Sequence, residues 1–315
     1  MNNKEKNFVS ATVYLYNAEN EIEYFVQTLV KVFEGNFEHS EIIFVNDCSV
    51  DRSVDIVKRL SCSVKTVNIS LLNMSYYQGK EIAMNAGRDL AIGDFVFEFD
   101  STFIDYSESE VMNVYYKALE GFDVVSATPD ENVRKTSKIF YSIFDRFSDV
   151  PYRMNSERFR ILSRRIINRV ISMNNIIPYR KAVYFRSGLK TCNIIYEANK
   201  KNMLGKHNMG KQEKQYRQNL GINVLLLFTS LGYRFSIAMT VIMICTTVFM
   251  IMYSLLVYLF GSPIEGWTTT ILFLSFAFFG LFGLMTVVIK YLQILVELVY
   301  KRKRYSYDSL EKLTV

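Results

Sequence analysis

Histidine is scarce in this sequence, and the motifs of several common enzyme classes are missing. The chain has two histidines, His39 and His207, which argues against a histidine-based catalytic triad. It contains no Gly-x-x-x-x-Gly-Lys-Ser/Thr loop, no Gly-x-Gly-x-x-Gly after the first strand-like run and no serine nucleophile elbow. These absences disfavour a P-loop enzyme, a dinucleotide-dependent oxidoreductase and a serine hydrolase of the α/β type.

Cysteines are also few, and they show no paired spacing. The four cysteines, at positions 48, 62, 192 and 245, lie far apart in the sequence. Their spacing argues against a zinc site or a disulfide framework and suits a reducing compartment. The N-terminus leads straight into a strand-like run, so we expect no signal peptide.

Charge is nearly absent from one long stretch. Residues 235–289 contain a single charged residue, Glu265. We therefore predict two transmembrane helices, 235–260 and 268–289, since about 20 apolar residues suffice to cross the hydrocarbon core. The alternative is a pair of buried core helices.

Basic residues flank both predicted spans and avoid the connector 261–267. This asymmetry predicts a protein of the cell (inner or plasma) membrane, with an external connector, both termini cytoplasmic and the domain before the first span also cytoplasmic. The tail 290–315 is then a cytoplasmic basic tail, and the net charge of +6 indicates attraction to the inner leaflet rather than to nucleic acid. The segment 201–234 is predicted to be juxtamembrane, with an interfacial helix over 221–232.

Residues 1–200 read as one α/β domain. Apolar, β-rich runs alternate with segments of helical length, which predicts a largely parallel, doubly wound sheet. Helical periodicity continues over 136–147 and 160–173. The predicted strands are 8–16, 41–46, 64–71, 95–99 and 123–127, and the predicted helices between them include 19–33, 51–60 and 79–90.

Polar residues cluster where three of these strands end. Ligands of open parallel sheets bind beyond the carboxyl ends of the strands, so we expect these clusters to face one crevice. The alternative is that each cluster only caps a helix or closes a turn. The clusters are Tyr16, Asn17 and Glu19 after the first strand, 46–51 after the second, and Asp100 and Thr102, with Asp105 beyond, after the fourth.

Four sequence blocks resemble family-two glycosyltransferases. Residues 13–19 and 41–53 are similar to the family's "VIPVYNEE" and "EIIFVDDGSTDGS" blocks, and 79–94 is similar to the block that precedes its Asp-x-Asp motif. Residues 159–165 resemble the "FRLxxRR" of the polyprenyl-phosphate branch, which includes bactoprenol glucosyltransferases and dolichyl-phosphate mannose synthases. The two predicted terminal spans are similar to the architecture of that branch.

The resemblance implies a GT-A domain that transfers a sugar, with inversion, from a UDP- or GDP-linked donor to a polyprenyl phosphate. It implies that Mg²⁺ or Mn²⁺ is held by Asp100 and Thr102, and that positive charge near the phosphates comes from Arg160 and Arg164. The residues implied in binding the nucleotide sugar are Tyr16, Asn17, Glu19, Asp47 and Lys80.

The sequence departs from the family pattern at informative positions. Thr102 replaces the second Asp of Asp-x-Asp, Asn46 replaces the first Asp of the Asp-Asp pair, and Cys48 and Tyr14 replace a Gly and a Pro. A threonine hydroxyl can still be a magnesium ligand. Two alternatives therefore stay open, a transferase acting on a polymer and a non-catalytic scaffold, and homo-oligomerisation is also left open.

Overall fold

The computed structural model describes residues 4–130, 157–173, 179–199, 215–216, 219–222, 266–300 and 305–314, together with scattered positions between 235 and 256. The chain divides into two compact units. Unit 1 comprises Met1–Asp145, Val150–Gly221 and Arg302–Val315, and unit 2 comprises Arg146–Asp149 and Ile222–Lys301.

Unit 1 is a mixed α/β domain built on one eight-stranded sheet, as the sequence predicts. The strand order is β7-β5-β6-β4-β1-β2-β3-β8. Four strand pairings are parallel and three are antiparallel. The strands are β1 (Val9–Leu15), β2 (Ser40–Asn46), β3 (Asn68–Met74), β4 (Phe95–Phe99), β5 (Val124–Pro129), β6 (Phe159–Ser163), β7 (Thr191–Tyr196) and β8 (Tyr307–Lys312).

Helices cover both faces of this sheet. Alternate residues of β2 belong to two apolar clusters, Ile42 and Phe44 to one and Ile43 and Val45 to the other. The central strands are apolar on both sides, which is the pattern of a sheet buried between helices. The helices of unit 1 are α1 (Ile22–Asn36), α2 (Ser53–Ser61), α3 (Lys80–Leu90), α4 (Glu108–Leu119), α5 (Arg164–Ser172) and α6 (Arg180–Arg186).

Two predicted elements need correction. The third strand begins at Asn68 rather than at residue 64, because the chain after α2 first closes a turn in which the Val64 amide donates to the Ser61 carbonyl. The helix predicted over 160–173 begins only at Arg164, since 159–163 form β6 between β4 and β5. Ser163 ends this strand and caps α5 by accepting from the Ile166 amide at 3.4 Å.

Strands β7 and β8 were not predicted from the sequence. β7 pairs in parallel with β5, and β8, from the expected basic tail, pairs antiparallel with β3 at the sheet edge. The helix predicted over 136–147 lies outside the described residues, as does most of the interfacial helix predicted over 221–232.

Unit 2 contains α7 (Trp267–Tyr300). Several apolar side chains of α7 are exposed, among them Phe278, Phe282 and Ile289. Counted over the described residues alone, no helix combines the length and the apolar character needed to cross a membrane. The first predicted span, 235–260, falls largely on residues that are not described, and both spans stay predictions.

Candidate active site

Asp100, the residue that follows β4, lies at the centre of the candidate site. Its side chain is 17% exposed. Oδ1 accepts from Arg180 Nη2 at 2.6 Å, Oδ2 accepts from Arg160 Nη2 at 2.8 Å, and Lys80 Nζ lies 3.9 Å from Oδ2. Burial disfavours ionisation, but the charges of Arg180, Arg160 and Lys80 outweigh it and hold the pKa of Asp100 well below its usual range. The structure thus brings the predicted residues Asp100, Arg160 and Lys80 together around an ionised carboxylate.

The buried side chain of Arg180 links three carboxylates, those of Glu81, Glu98 and Asp100. Arg180 is the first residue of α6, and its side chain is fully buried. Its backbone amide and its Nε both donate to Glu81 Oε2, at 2.9 and 3.1 Å. Nη1 lies 2.9 Å from Glu98 Oε2, an ion pair without hydrogen-bond geometry, and Nη2 donates to Asp100. One guanidinium therefore fixes Asp100 relative to α3 and β4.

Glu98 is the anionic partner inside the sheet. It is fully buried on β4 opposite Arg160 of β6, whose Nε lies 3.6 Å away. The Tyr184 hydroxyl donates to Glu98 Oε1 at 2.8 Å and accepts from Arg88 Nη1 at 3.1 Å. Buried charges of this kind are tolerated because opposite charges and hydrogen bonds surround them.

Sequence reasoning missed Arg180, Glu81 and Glu98. A signal for Glu98 was present, because a charged residue within the apolar strand Phe95–Phe99 requires a buried partner. Nothing in the sequence spacing identified that partner as Arg180, which lies on a helix far along the chain.

Asp47 holds the loop that leads into α3. It follows β2 and is fully buried, and it accepts from the Tyr14 hydroxyl at 3.1 Å and from the amides of Gln78 and Gly79 at 2.8 and 2.9 Å. Burial raises the pKa of Asp47, against the lowering effect of these hydrogen bonds. Asp47 is therefore placed to order the loop before Lys80, and its predicted role toward a nucleotide stays a prediction.

Asn17 and Glu19 join the loop after β1 to the loop after β2. Asn17 has a left-handed backbone, with φ of 47°, and its Oδ1 accepts from the Val50 amide at 2.9 Å. The Glu19 amide donates to Asp51 Oδ2 at 2.9 Å, and the Arg52 amide donates to Glu19 Oε2 at 3.3 Å. These contacts bring two of the predicted polar clusters together. Asp51 also accepts from the Ser53 amide at 3.1 Å, at the start of α2, so capping accounts for part of this cluster, while the contacts of Asn17 and Glu19 run between the two loops.

Three tyrosines form an aromatic surface beside these loops. The Tyr16 and Tyr77 rings lie 4.9 Å apart between centroids, and the Tyr77 and Tyr216 rings lie 6.2 Å apart. The Tyr216 hydroxyl accepts from the Glu81 amide at 3.3 Å. Aromatic rings that are partly open at the end of a sheet can stack a flat heterocycle.

Thr102 is not part of a preformed metal site with Asp100. Its side chain is buried, and its hydroxyl donates to Glu21 Oε2 at 3.2 Å, while both oxygens of Asp100 accept from guanidinium groups. Among the described residues there is no cluster of three or more His, Cys, Asp or Glu that could hold a metal. Arg160, Arg180 and Lys80 already compensate the Asp100 carboxylate, so the site as folded does not fit the divalent cation that the sequence predicts at Asp100 and Thr102.

The structure corrects the placement of Arg164. Its Nε donates to the Gly93 carbonyl at 2.9 Å, and its Nη2 donates to the Ala91 carbonyl at 2.9 Å. Gly93 precedes β4, whereas Asp100 follows it, so the two residues lie roughly 20–23 Å apart along the strand. Arg164 therefore supports the loop before β4, whereas Asp100 lies at the other end of that strand. The sequence does not show that β6 runs antiparallel to β4, which places Arg164, the residue after β6, beside the start of β4 rather than its end.

The charged cluster around Asp100, at the carboxyl ends of the parallel strands, agrees with a family assignment. The family described as glycosyl transferase family 2 matches residues 10–184, which is more than half of the chain. The chain belongs to glycosyl transferase family 2.

Curated relatives share the same region. An uncharacterized glycosyltransferase of Synechocystis is 27% identical over 195 residues, which is 60% of each chain. A prophage bactoprenol glucosyl transferase homolog of Escherichia coli is 29% identical over 189 residues, 58% of this chain and 61% of the relative. The chain thus spans about 60% of the length of these relatives. Among solved structures, a mannosyltransferase from Pyrobaculum calidifontis in complex with GDP-Man and Mn²⁺ matches with a TM-score of 0.48 and 11% identity, covering 89% of this chain and 88% of that one.

Proposed function

We propose that this protein is a membrane-anchored, inverting glycosyltransferase. It moves a sugar from a UDP- or GDP-linked donor to a polyprenyl phosphate, or to a lipid-linked glycan, at the cytoplasmic leaflet. The observation that carries the proposal is the ionised Asp100 at the carboxyl edge of the sheet, held by Arg160 and Arg180 and lying 3.9 Å from Lys80. Membership of glycosyl transferase family 2 supports the reaction class.

The donor lies, in this proposal, across the loops after β1, β2 and β3. The nucleobase stacks on the Tyr16 and Tyr77 rings, which are partly exposed. The diphosphate lies near Lys80, which is the first residue of α3 and has a side chain that is 38% exposed. The ammonium and the N-terminal end of the helix both favour an anion there.

In the chemical step, an ionised phosphate oxygen of the acceptor attacks the anomeric carbon from the face opposite the leaving group. A bond forms between that oxygen and the carbon while the bond from the carbon to the donor diphosphate breaks, and the nucleoside diphosphate leaves with the electron pair. No proton is transferred, so no general base is required. Lys80 stabilises the charge that develops on the leaving diphosphate, and Asp100 orients Lys80.

A divalent cation is not assigned a step in this proposal. When bound, Mg²⁺ or Mn²⁺ would neutralise the diphosphate. Arg160, Arg180 and Lys80 already surround Asp100, and their positive charge opposes a further cation there, whereas the Thr102 hydroxyl donates its proton to Glu21 and keeps its oxygen lone pairs. Metal dependence is therefore a property to measure.

The lipid acceptor is supported by the sequence and by the relatives. The E. coli relative is named as a bactoprenol glucosyl transferase homolog. Residues 235–289 carry a single charge, and exposed apolar side chains such as Phe278 and Phe282 line α7. An apolar surface of this kind suits contact with acyl chains, which supports an acceptor that lies in the membrane.

The function is tested by incubating membranes that contain the protein with a panel of labelled nucleotide sugars. We expect one donor to release its nucleoside diphosphate and to give labelled product that organic solvent extracts. A Lys80→Gln variant should lose most of this activity, whereas Lys31→Gln, at a lysine that is 71% exposed, should retain it. Label that stays in the aqueous polymer would indicate a polymer acceptor, and no turnover with any donor would indicate a scaffold.

The topology is tested with single cysteines in a background that lacks the four native ones. A cysteine replacing Ser262, in the predicted connector, should react with an impermeant thiol reagent in intact cells. A cysteine replacing Asp308 should react only after the membrane is permeabilised. The reverse labelling pattern would contradict cytoplasmic termini.

A further inference from the structure

The C-terminal segment 305–314 belongs to unit 1, although the chain passes through unit 2 before reaching it. The chain leaves unit 1 after Gly221 and re-enters it at Arg302. Within this segment, β8 pairs antiparallel with β3, with Leu72 opposite Leu310 and Met74 opposite Tyr307. The segment lies beyond the family match, which ends at residue 184.

The start of this segment contacts the loop between β3 and α3. Gln78 Nε2 donates to the Ser306 carbonyl at 2.5 Å, and the Ser306 amide donates to Gln78 Oε1 at 3.0 Å. The Ser75 amide also donates to the Ser306 carbonyl, at 3.2 Å. The side-chain amide of Gln78 therefore pairs with the Ser306 backbone as a peptide group of a neighbouring strand would, with both a donor and an acceptor satisfied.

The same loop residue is held from its other side by Asp47. The backbone amides of Gln78 and Gly79 donate to the two oxygens of Asp47 at 2.8 and 2.9 Å. The side chain of Gln78 thus contacts Ser306, while its backbone amide contacts the buried Asp47.

This arrangement fixes the start of α3. Gly79 adopts φ of 86° and Lys80 is the next residue, whose Nζ lies 3.9 Å from Asp100. A glycine has many accessible backbone conformations, so the loop needs restraints on both sides to hold one of them. The pair with Ser306 is one such restraint and the Asp47 carboxylate is the other.

We propose that residues 305–314 are a positioning element of the donor site, and that Gln78 is the positioning residue through which they act. The proposal rests on the proposed function, because the loop that they hold carries Lys80. The C-terminal segment sets the position of Lys80 without itself touching the donor.

The far end of the segment offers a matched control. The Ile69 amide donates to Thr314 Oγ1 at 2.7 Å, and Thr314 is 6% exposed. This contact lies at the opposite end of β3 from the loop. Thr314→Val removes a buried hydrogen bond of the same segment and should lower stability without reaching Lys80.

The experiment compares Gln78→Ala and Thr314→Val with the wild type, as full-length chains. We expect Gln78→Ala to lower kcat/KM for the donor by about tenfold, with kcat falling as well as KM rising, because a displaced Lys80 stabilises the leaving diphosphate less well. Hydrogen exchange at the amides of Gln78 and Gly79 should become faster, by on the order of tenfold, in that variant alone.

Unchanged exchange at Gln78 and Gly79 in Gln78→Ala would overturn the proposal, because the contact with Ser306 would then restrain nothing. Equal changes in donor kcat/KM for the two variants would also overturn it, since the segment would be acting only through general stability. Failure of the wild type to use any nucleotide sugar would refute the proposed function instead, and the exchange measurement separates that result from a failure of positioning.

Discussion

Replacing Arg180 with methionine removes the buried cation on which Glu81, Glu98 and Asp100 converge. The three carboxylates lie 3.1, 2.9 and 2.6 Å from the guanidinium nitrogens, and the Arg180 side chain is fully buried. Methionine keeps much of the side-chain length but leaves these carboxylates with less compensation. Breaking a buried ion pair by removing one partner costs about 3–5 kcal/mol, which is a large part of the roughly 5–15 kcal/mol by which folded domains are stable.

The assay is urea unfolding of the purified chain, followed by far-ultraviolet circular dichroism. Arg180→Met should lower the free energy of unfolding by the amount above, whereas Arg169→Met, at an exposed arginine of α5, should change it by less than about 0.5 kcal/mol. Adding Glu98→Gln to Arg180→Met should recover part of the loss, because one uncompensated carboxylate is removed. The reasoning would be refuted if the free energy of unfolding of Arg180→Met lay within about 1 kcal/mol of the wild-type value. It would also be refuted if the effects of the two substitutions were strictly additive in the double variant.

Two of three further predictions concern the site, and the third concerns Asp123, at the opposite end of the strands. Asp100→Asn should reduce kcat by about a hundredfold, or about 3 kcal/mol, in the donor-turnover assay, and turnover close to the wild type would leave Asp100 only a turn residue. Gly79→Ala should lower both thermal stability and donor affinity, since a Cβ there would collide with the Tyr216 ring at a φ of 86°, and an unchanged melting temperature would contradict this. Burial opposes ionisation of Asp123, but hydrogen bonds from Arg165 and Ser163 and the charge of Arg165 outweigh burial and lower the pKa of Asp123. The ionised carboxylate therefore stabilises the fold fully above the unfolded-state pKa of about 4. This stabilisation is lost as the pH falls from there through the lower pKa of the folded state. Acid unfolding monitored by circular dichroism should therefore lose part of its pH dependence in Asp123→Asn, and an identical acid profile would count against the prediction.

Much of the sheet could be predicted from the sequence, because its central strands are apolar on both faces. The bounds of β4, Phe95–Phe99, are those that its apolar run predicts. β6 was missed because Leu162, Ile166 and Val170 recur at the four-residue spacing of a helix face, so the end of β6 and the whole of α5 have one helical pattern. A five-residue strand gives too short a pattern to separate from the helix that follows it.

The site was predicted in part. The strand-end rule led to Asp100 and Asp47, because both come directly after runs that form parallel strands. Arg180 could not be found in this way, because its importance comes from contacts with Glu81 and Glu98 that only the folded chain creates. For Thr102, the family pattern implied a metal ligand, and the structure shows its hydroxyl donating to Glu21, a contact that the sequence did not predict.

The pairing of β8 with β3 also determines when the sheet can be completed during synthesis. The Ile69 amide and its partner Thr314 lie 245 residues apart in the sequence, which takes roughly 10–50 s to translate at about 5–20 residues per second. Until then, the free edge of β3 presents unpaired backbone groups, a surface that invites pairing with other chains. A chain whose synthesis stops before residue 307 can never cover that edge. Full-length chains should therefore resist aggregation and proteolysis, while prematurely terminated chains should be removed by the cell's quality control.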